Sequence, residues 1–482
     1  MLPILTLALA RPTFDVPYAE SFAAQAFAAI DAAGLNTIGP RDLLFDAGAA
    51  RAAIAGISPR EISGVLVLQV TFTDASMTVE IAKAFPGVAL GLWAFPEPRA
   101  GGRLRLNSFC GLNLAAHALG RAALAHATLY ADAGAPDIGR RLQRLVAGPA
   151  ARPNGSRPAA LPQESSELAA IALHAKLRDT RIGLIGEHPG GFDTCRYDPA
   201  MLKSLANVSV EPIALHGVFE RARAVAAPRT AARLDQARQT YAGIEAVDQD
   251  QLAKSMALGV AMEDLLAEKA LDSLAVRCWP ETFTEYGCAV CGPMGMLTEA
   301  GTPCACEADV LGALTSLLLQ GAAQAPAWLV DIVDIDAASD TGVFWHCGSA
   351  PASMRDPEVR MEAQIHSNRK MPLLAQFTLK PGRITIARLS QARNGLTLVL
   401  GGATVIPAPM SFTGTSAVAR FDGGAGNAME VLLGEALEHH VAMVYGDHRE
   451  TLEAWAALND LPVLDLTPAL TAGLSLHTGT SP

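Results

Sequence analysis

Two acids interrupt stretches that otherwise read as buried core. Glu307 follows Cys306 and precedes Val310, Leu314, Leu317 and Leu318, whose spacing fits one face of a helix, so its carboxylate falls at or just before a helix start. Asp331 sits inside Trp328-Leu-Val-Asp331-Ile-Val, a run that predicts a short buried strand. A charge buried there is costly unless a cation or hydrogen-bond donors meet it. Taken singly, Glu307 is equally a cap facing the helix dipole, and Asp331 equally a strand-end turn residue. Far downstream, Glu438-His439-His440 precedes an apolar run and a turn at Gly446. Adjacent side chains point in different directions, so only one of the two histidines easily faces a given cavity. Two carboxylates and an imidazole suit a divalent transition ion such as Mn²⁺, with positions left open for water or substrate.

The stretches around these residues are Arg277-Cys-Trp279-Pro280, Cys306 to Leu314, Asp331, His346-Cys-Gly-Ser-Ala-Pro351, and His439-His440 through Tyr445-Gly446. Together they resemble the L-fucose isomerase family, which is related to the L-arabinose isomerases, and the similarity covers most of the chain. Leu7 to Asp15 resembles that family's first strand and its substrate-facing arginine loop, Arg181 to Gly186 the opening strand of its second domain, and Phe377 to Ala387 a hairpin of its third.

Carried over residue by residue, the resemblance implies a metal site of Glu307, Asp331 and His440 holding Mn²⁺ or another divalent ion. It makes Glu307 and Asp331 the acid/base pair of an aldose–ketose isomerase that works through a cis-enediol. Such a reaction needs a base to remove one proton, an acid to return one, and positive charge for the enediolate oxygens. Arg11, Phe72, Trp279 and His346 fall among the substrate-contacting residues, with Phe72 in the place of an aromatic that reaches a neighbouring subunit's site. His346 departs from the fucose isomerases, which can lack a histidine there. Arabinose isomerases place a metal-binding histidine in a comparable region, so a role as fourth ligand stays open. By residue type alone, Arg11 is also compatible with a salt bridge and Trp279 with plain core. The departures from the family point away from L-fucose itself, toward another aldose, with neutral, deoxy and anionic C6-modified sugars all open and Arg11 or another cation as reader of the distal group.

The elements that must position these residues fall into three parts. Residues 1–178 alternate strand and helix signals: a strand over 2–10, an alanine-rich helix over 19–33, and strands over 65–70 and 88–94. Thr71 to Ser76 follows a strand's carboxyl end, where open α/β sheets place ligands. Residues 148–162 are rich in glycine and proline and read as a loop. A second α/β unit, 179–327, carries Glu307. It opens a helix at Asp198-Pro199 and contains a long amphipathic helix over 250–270. Residues 328–482 carry Asp331 and His440 and turn β-rich, with short runs over 373–379, 383–389 and 396–400 and a hairpin turn at Asn394-Gly395. Residues 430–445 read as helix-like or buried sequence bearing the histidines. The fold class expected is therefore α/β, with two Rossmann-like domains followed by an antiparallel β-rich domain in the form of a small barrel.

At 482 residues the chain suffices for about three domains of roughly 150 residues each. A net charge of −11 and the absence of a basic run argue against nucleic acid. Apolar stretches break before the ~18 residues a membrane span needs. The start, Met1 to Pro12, has no basic residue ahead of its apolar run, so a core strand in a cytoplasmic protein is the better reading than a signal peptide. Cys288-x-x-Cys291 and Cys304-x-Cys306 read as reduced core thiols rather than a zinc site, the second pair being spaced too closely. A sugar substrate is implied by the resemblance, as is a homo-oligomer, trimeric or hexameric, with active sites near subunit interfaces. A metal-dependent sugar-acid lyase or epimerase, and a non-catalytic sugar-binding protein, are the rival readings.

Overall fold

The computed structural model describes residues 2–149, 155–392 and 395–468. Asn394, at the turn expected near 394, and part of the loop over 148–162 lie outside these. The protein is a mixed α/β structure with two parallel sheets and one large mixed sheet.

In the first sheet Ile4–Leu9 pairs in parallel with Gly64–Gln69, which is followed outward by Ala89–Ala94 and Ala127–Tyr130. Every residue of Ile4–Leu9 is buried because helices cover both faces. Leu5, Leu7 and Leu9 join one apolar cluster while Ile4 and Ala8 join another, as the two-residue strand period requires. The alanine-rich helix is Val16–Ala32, started by Asp15, whose side chain accepts from the Tyr18 amide.

The second sheet runs Cys304–Cys306, Ser273–Val276, Arg181–Ile185 and Ser209–Ile213, all parallel. Asp198 caps Pro199–Ala206, with proline at the first helical turn as expected, and Asp248 caps the long helix Gln249–Lys269. Val276 pairs with Cys306, so the two loops that leave these strands start side by side. One carries Trp279 and the other Glu307.

In the third sheet six strands pair antiparallel and return on themselves: Trp328–Asp336, Thr341–His346, Thr415–Phe421, Thr397–Ile406, Gly382–Ser390 and His440–Tyr445. Leu374–Thr378 and Pro462–Asp465 extend this sheet, and Arg157–Pro158 pairs with the latter, so this piece of the sequence before residue 178 is built onto the third sheet. The region read as helix-like around the histidines divides instead. The helix Ala425–Gly434 ends before them, and His440 is the first residue of a strand. The continuous buried run Val441-Ala-Met-Val444, with a β-branched residue at each end, suits a strand covered on both faces once that helix has stopped.

Candidate functional site

Asp331 and His440 are brought together by strand register: in the antiparallel pair Trp328–Asp336 with His440–Tyr445, they are direct partners. Glu307 arrives from the second sheet. It is not a helix cap. The cap of Val310–Ala323 is Asp309, whose Oδ1 accepts from the Gly312 amide at 2.8 Å, while Glu307 and Ala308 lie in the left-handed region at φ 52° and 59°. Two consecutive non-glycine residues in that conformation are costly and persist only where surrounding structure holds them. The result turns the Glu307 carboxylate off the helix axis and into a cavity.

His440 is fully buried, and its Nε2 stands 2.8 Å from Glu307 Oε2 and 3.5 Å from Asp331 Oδ1. Among the described residues neither Nε2 nor Asp331 Oδ1 has a hydrogen-bond partner, and the buried His346 Nε2 and His439 Nδ1 have none either. Buried polar atoms left unpaired are rare because each forfeits its solvation. Here the unpaired atoms cluster: ligand-type atoms of Glu307, His346 and His440, and of Asp331, His439 and His440, lie within 4.8 Å of one another in each trio. The short Nε2 to Oε2 contact lacks hydrogen-bond alignment, as for two atoms directed at a shared point rather than at each other. This donor set of imidazole and carboxylates fits a divalent transition ion.

Behind His440, its Nδ1 lies 2.8 Å from Asp309 Oδ2, and Asp309 is clasped by both terminal nitrogens of buried Arg388. Such a carboxylate fixes the ring and keeps Nε2 turned to the cavity. The charges follow from this packing. Burial alone raises the Glu307 carboxyl, but the contact and charge of His440 bring it down to about 2. Burial pushes Asp331 up to about 7, with the charges of Glu307 and Asp309 adding to it against the pull of His440. Burial disfavours a charged His440, yet Asp309, Cys195 and Glu307 hold its pKa well above the usual histidine value. His439 is pressed well below that value, by burial first and then by His440. Adjacent in sequence, the two rings therefore carry different charge. A cation at this point would take the place of the His440 proton.

The cavity gathers every substrate-facing residue expected from the sequence: Arg11, Phe72, Trp279 and His346, with Glu307 and Asp331 at its inner end. Trp279 donates its indole N–H to Glu307 Oε1 at 3.0 Å, so it is not plain core. Arg11 forms a 2.8 Å ion pair with Asp74 and stacks over Trp279 with Cζ 5.3 Å from the ring centroid. Phe72 packs against Phe14, Phe192 and His439 and lines this cavity. His346 accepts from the Cys347 amide at Nδ1 (2.9 Å), which leaves Nε2 as the protonated nitrogen of a neutral ring.

Sequence reasoning missed Asp309, Arg388 and Arg369. Asp309 carried a signal, since an aspartate three residues before Gly312 at the head of an apolar run is a capping pattern. Arg388 and Arg369 carried none, because their partners are far away in sequence. All eight cysteines are free and seven are buried; Cys278, Cys288, Cys304 and Cys306 share one apolar cluster.

Residues 6–150 match the family described as fucose/sulfoquinovose isomerase, N-terminal domain. The sulfoquinovose isomerase of Priestia aryabhattai is 27% identical over 450 residues, 93% of this chain and 96% of that protein. That of Alkalicoccus urumqiensis is 27% identical over 468 residues, 97% of this chain and 100% of its own. A third, from Clostridium sp. (strain MSTE9), is 27% identical over 455 residues, covering 93% and 96%.

Proposed function

We propose that this chain, a member of the fucose isomerase-like family and an aldose–ketose isomerase, acts on an open-chain aldose through an enediol, with Glu307, Asp331 and His440 as holders of one divalent cation. The observation that carries this reading is that buried His440 Nε2 stands 2.8 Å from Glu307 Oε2 and 3.5 Å from Asp331 Oδ1, two carboxylates brought from different sheets, while Nε2 and Asp331 Oδ1 have no hydrogen-bond partner among the described residues. A cation there, Mn²⁺ being well matched to the donors, supplies positive charge that polarises a carbonyl and steadies a developing oxyanion.

The chain's own residues do the rest. Glu307, on the loop after Cys304–Cys306, and Asp331, on the strand Trp328–Asp336, both line the cavity, so one can remove the proton at C2 while the other returns a proton at C1, the transfer that moves the carbonyl. The Trp279 N–H fixes one Glu307 oxygen and leaves the other turned inward. His440 is held by Asp309 and cannot swing away. His346, with Nδ1 occupied by a backbone amide, can offer Nε2–H to a substrate oxygen, which supports a substrate donor over a fourth ligand. Phe72, Phe192 and Trp345 wall the cavity and keep water from the enediol.

The relatives' shared name makes sulfoquinovose the first substrate to test, beside neutral, deoxy and uronic aldoses. Purified protein loses ketose formation on chelation and regains it with Mn²⁺, and His440→Ala holds at least ~10-fold less metal by direct metal analysis. Full metal occupancy in that variant removes His440 from the site. Absence of isomerisation across the panel by metal-loaded protein overturns the reading in favour of a lyase or a binding protein, which product mass distinguishes.

A further inference from the structure

The cavity has a second end. Beyond the Trp279 indole that bonds Glu307, Arg369 stacks its guanidinium on that ring, with Cζ 5.1 Å from the centroid, and on Phe283 at 5.3 Å, with the Glu307 charge near enough to favour its own. Its backbone amide points to His366 Nδ1, but its five side-chain N–H groups make no hydrogen bond or ion pair among the described residues. A half-buried arginine with aromatic neighbours and no anion is an unsatisfied site, since Arg normally finds a carboxylate or phosphate for its planar fork. Burial, and after it the proximity of Arg11, works against its charge. Arg11 differs in being already matched by Asp74. Next to Arg369, Asn368 gives its carbonyl to Arg103 Nε at 2.5 Å, and its amide nitrogen has no partner among the described residues. One indole spans the two ends: Trp279 bonds Glu307 through its N–H and supports Arg369 with its ring.

We propose that Arg369 is the specificity-determining residue for an anionic group at the far end of the sugar, a sulfonate on C6, with the Asn368 amide as a neutral donor beside it and Arg11 contributing charge at longer range. This rests on the isomerase reading for the placement of C1 and C2 at the Glu307 end. An oxyanion there receives two parallel N–H bonds from one guanidinium, in a site whose aromatic walls strengthen them. The same ring of groups offers a neutral C6 hydroxyl nothing that repays the desolvated charge.

The experiment compares sulfoquinovose, a glucose with sulfonate in place of the C6 hydroxyl, with glucose and glucuronate on Mn²⁺-loaded wild type, Arg369→Gln and Arg369→Lys. Both kcat/KM and calorimetric affinity are measured. Wild type prefers sulfoquinovose, and in Arg369→Gln that preference over glucose falls by about 10²-fold or more, mainly through KM. Arg369→Lys regains part of it, because charge is kept and the fork is lost. An unchanged preference in Arg369→Gln, or an equal loss for both sugars, overturns the assignment. Turnover of glucose without preference for either anion overturns the anion pocket while leaving the isomerase reading intact. A preference for glucuronate over sulfoquinovose overturns the sulfonate and retains Arg369 as the anion reader. If neither sugar is turned over, the isomerase reading fails, and the affinity ratio of wild type to Arg369→Gln still decides the anion pocket.

Discussion

The two ends of the cavity are built on different principles. At the inner end two of the functional side chains are fixed from behind: Arg388 clasps Asp309, Asp309 holds His440, and Trp279 holds Glu307, while Asp331 is placed by its strand. At the outer end Arg369 rests on aromatic faces with its donors unspent, and Arg11 is only half committed, through Asp74. The inner end is organised before any substrate enters, as charge stabilisation of a transition state requires. The outer end holds back its hydrogen bonds for a ligand, which is how a site discriminates between substrates of similar size. On the proposed reading, reaction and selection are separated in space along one open chain, and a change at one end should leave a different kinetic signature from a change at the other.

The strongest test of that contrast lies at the inner end. Glu307→Gln and Asp331→Asn each lower kcat by at least ~10²-fold, the loss typical for a general acid or base, with every sugar tried. Near-normal turnover in either variant breaks the assignment, and appearance of solvent deuterium at C1 or C2 of the product supports an enediol.

Asp309→Asn strikes the support rather than the site. It leaves the Arg388 charge buried without its carboxylate, where breaking a buried pair costs about 3–5 kcal/mol, so the melting temperature falls. The same variant weakens metal binding by roughly 10–100-fold, because the ring orientation of His440 is no longer enforced. Wild-type metal affinity in a folded Asp309→Asn protein would show that the strand alone positions His440. His346→Ala sharpens the division within the inner end. Metal affinity stays within about 3-fold of wild type, whereas KM rises or kcat drops roughly 10-fold as a substrate hydrogen bond is lost. A large loss of metal instead makes His346 a fourth ligand.

The smallest effect is expected at Arg11. Its charge is already matched by Asp74, so Arg11→Gln reduces the preference for an anionic sugar by only about 3- to 10-fold, less than removal of Arg369. A larger effect at Arg11 than at Arg369 would exchange their roles. None of these substitutions at the outer end should change the amount of metal bound.

Much of the fold could be read from local pattern. The strands at Ile4–Leu9, Gly64–Gln69 and Ala89–Ala94 and the helices begun by Asp198 and Asp248 follow from apolar runs, period and caps, which depend on neighbours a few residues away. The histidine region was harder. An apolar run after His440 fits a strand or a buried helix equally, and only its pairing with Trp328–Asp336 decides between them.

By itself the sequence determined which residue types were available for chemistry: two acids embedded in apolar stretches, a histidine pair, and an arginine after the first strand. It could do so because a charged residue in an apolar stretch is conspicuous without any knowledge of its partners. The tertiary structure decided how they are used. Whether Glu307 caps a helix or faces a cavity depended on two left-handed residues, and which histidine faces Asp331 depended on strand register. That Asp309 supports His440 depended on atoms 131 residues apart, and Arg388 reaches Asp309 across 79. Arg369 gave no sign in the sequence at all, because a missing partner is a property of the surrounding space, and that space is assembled only when three sheets meet.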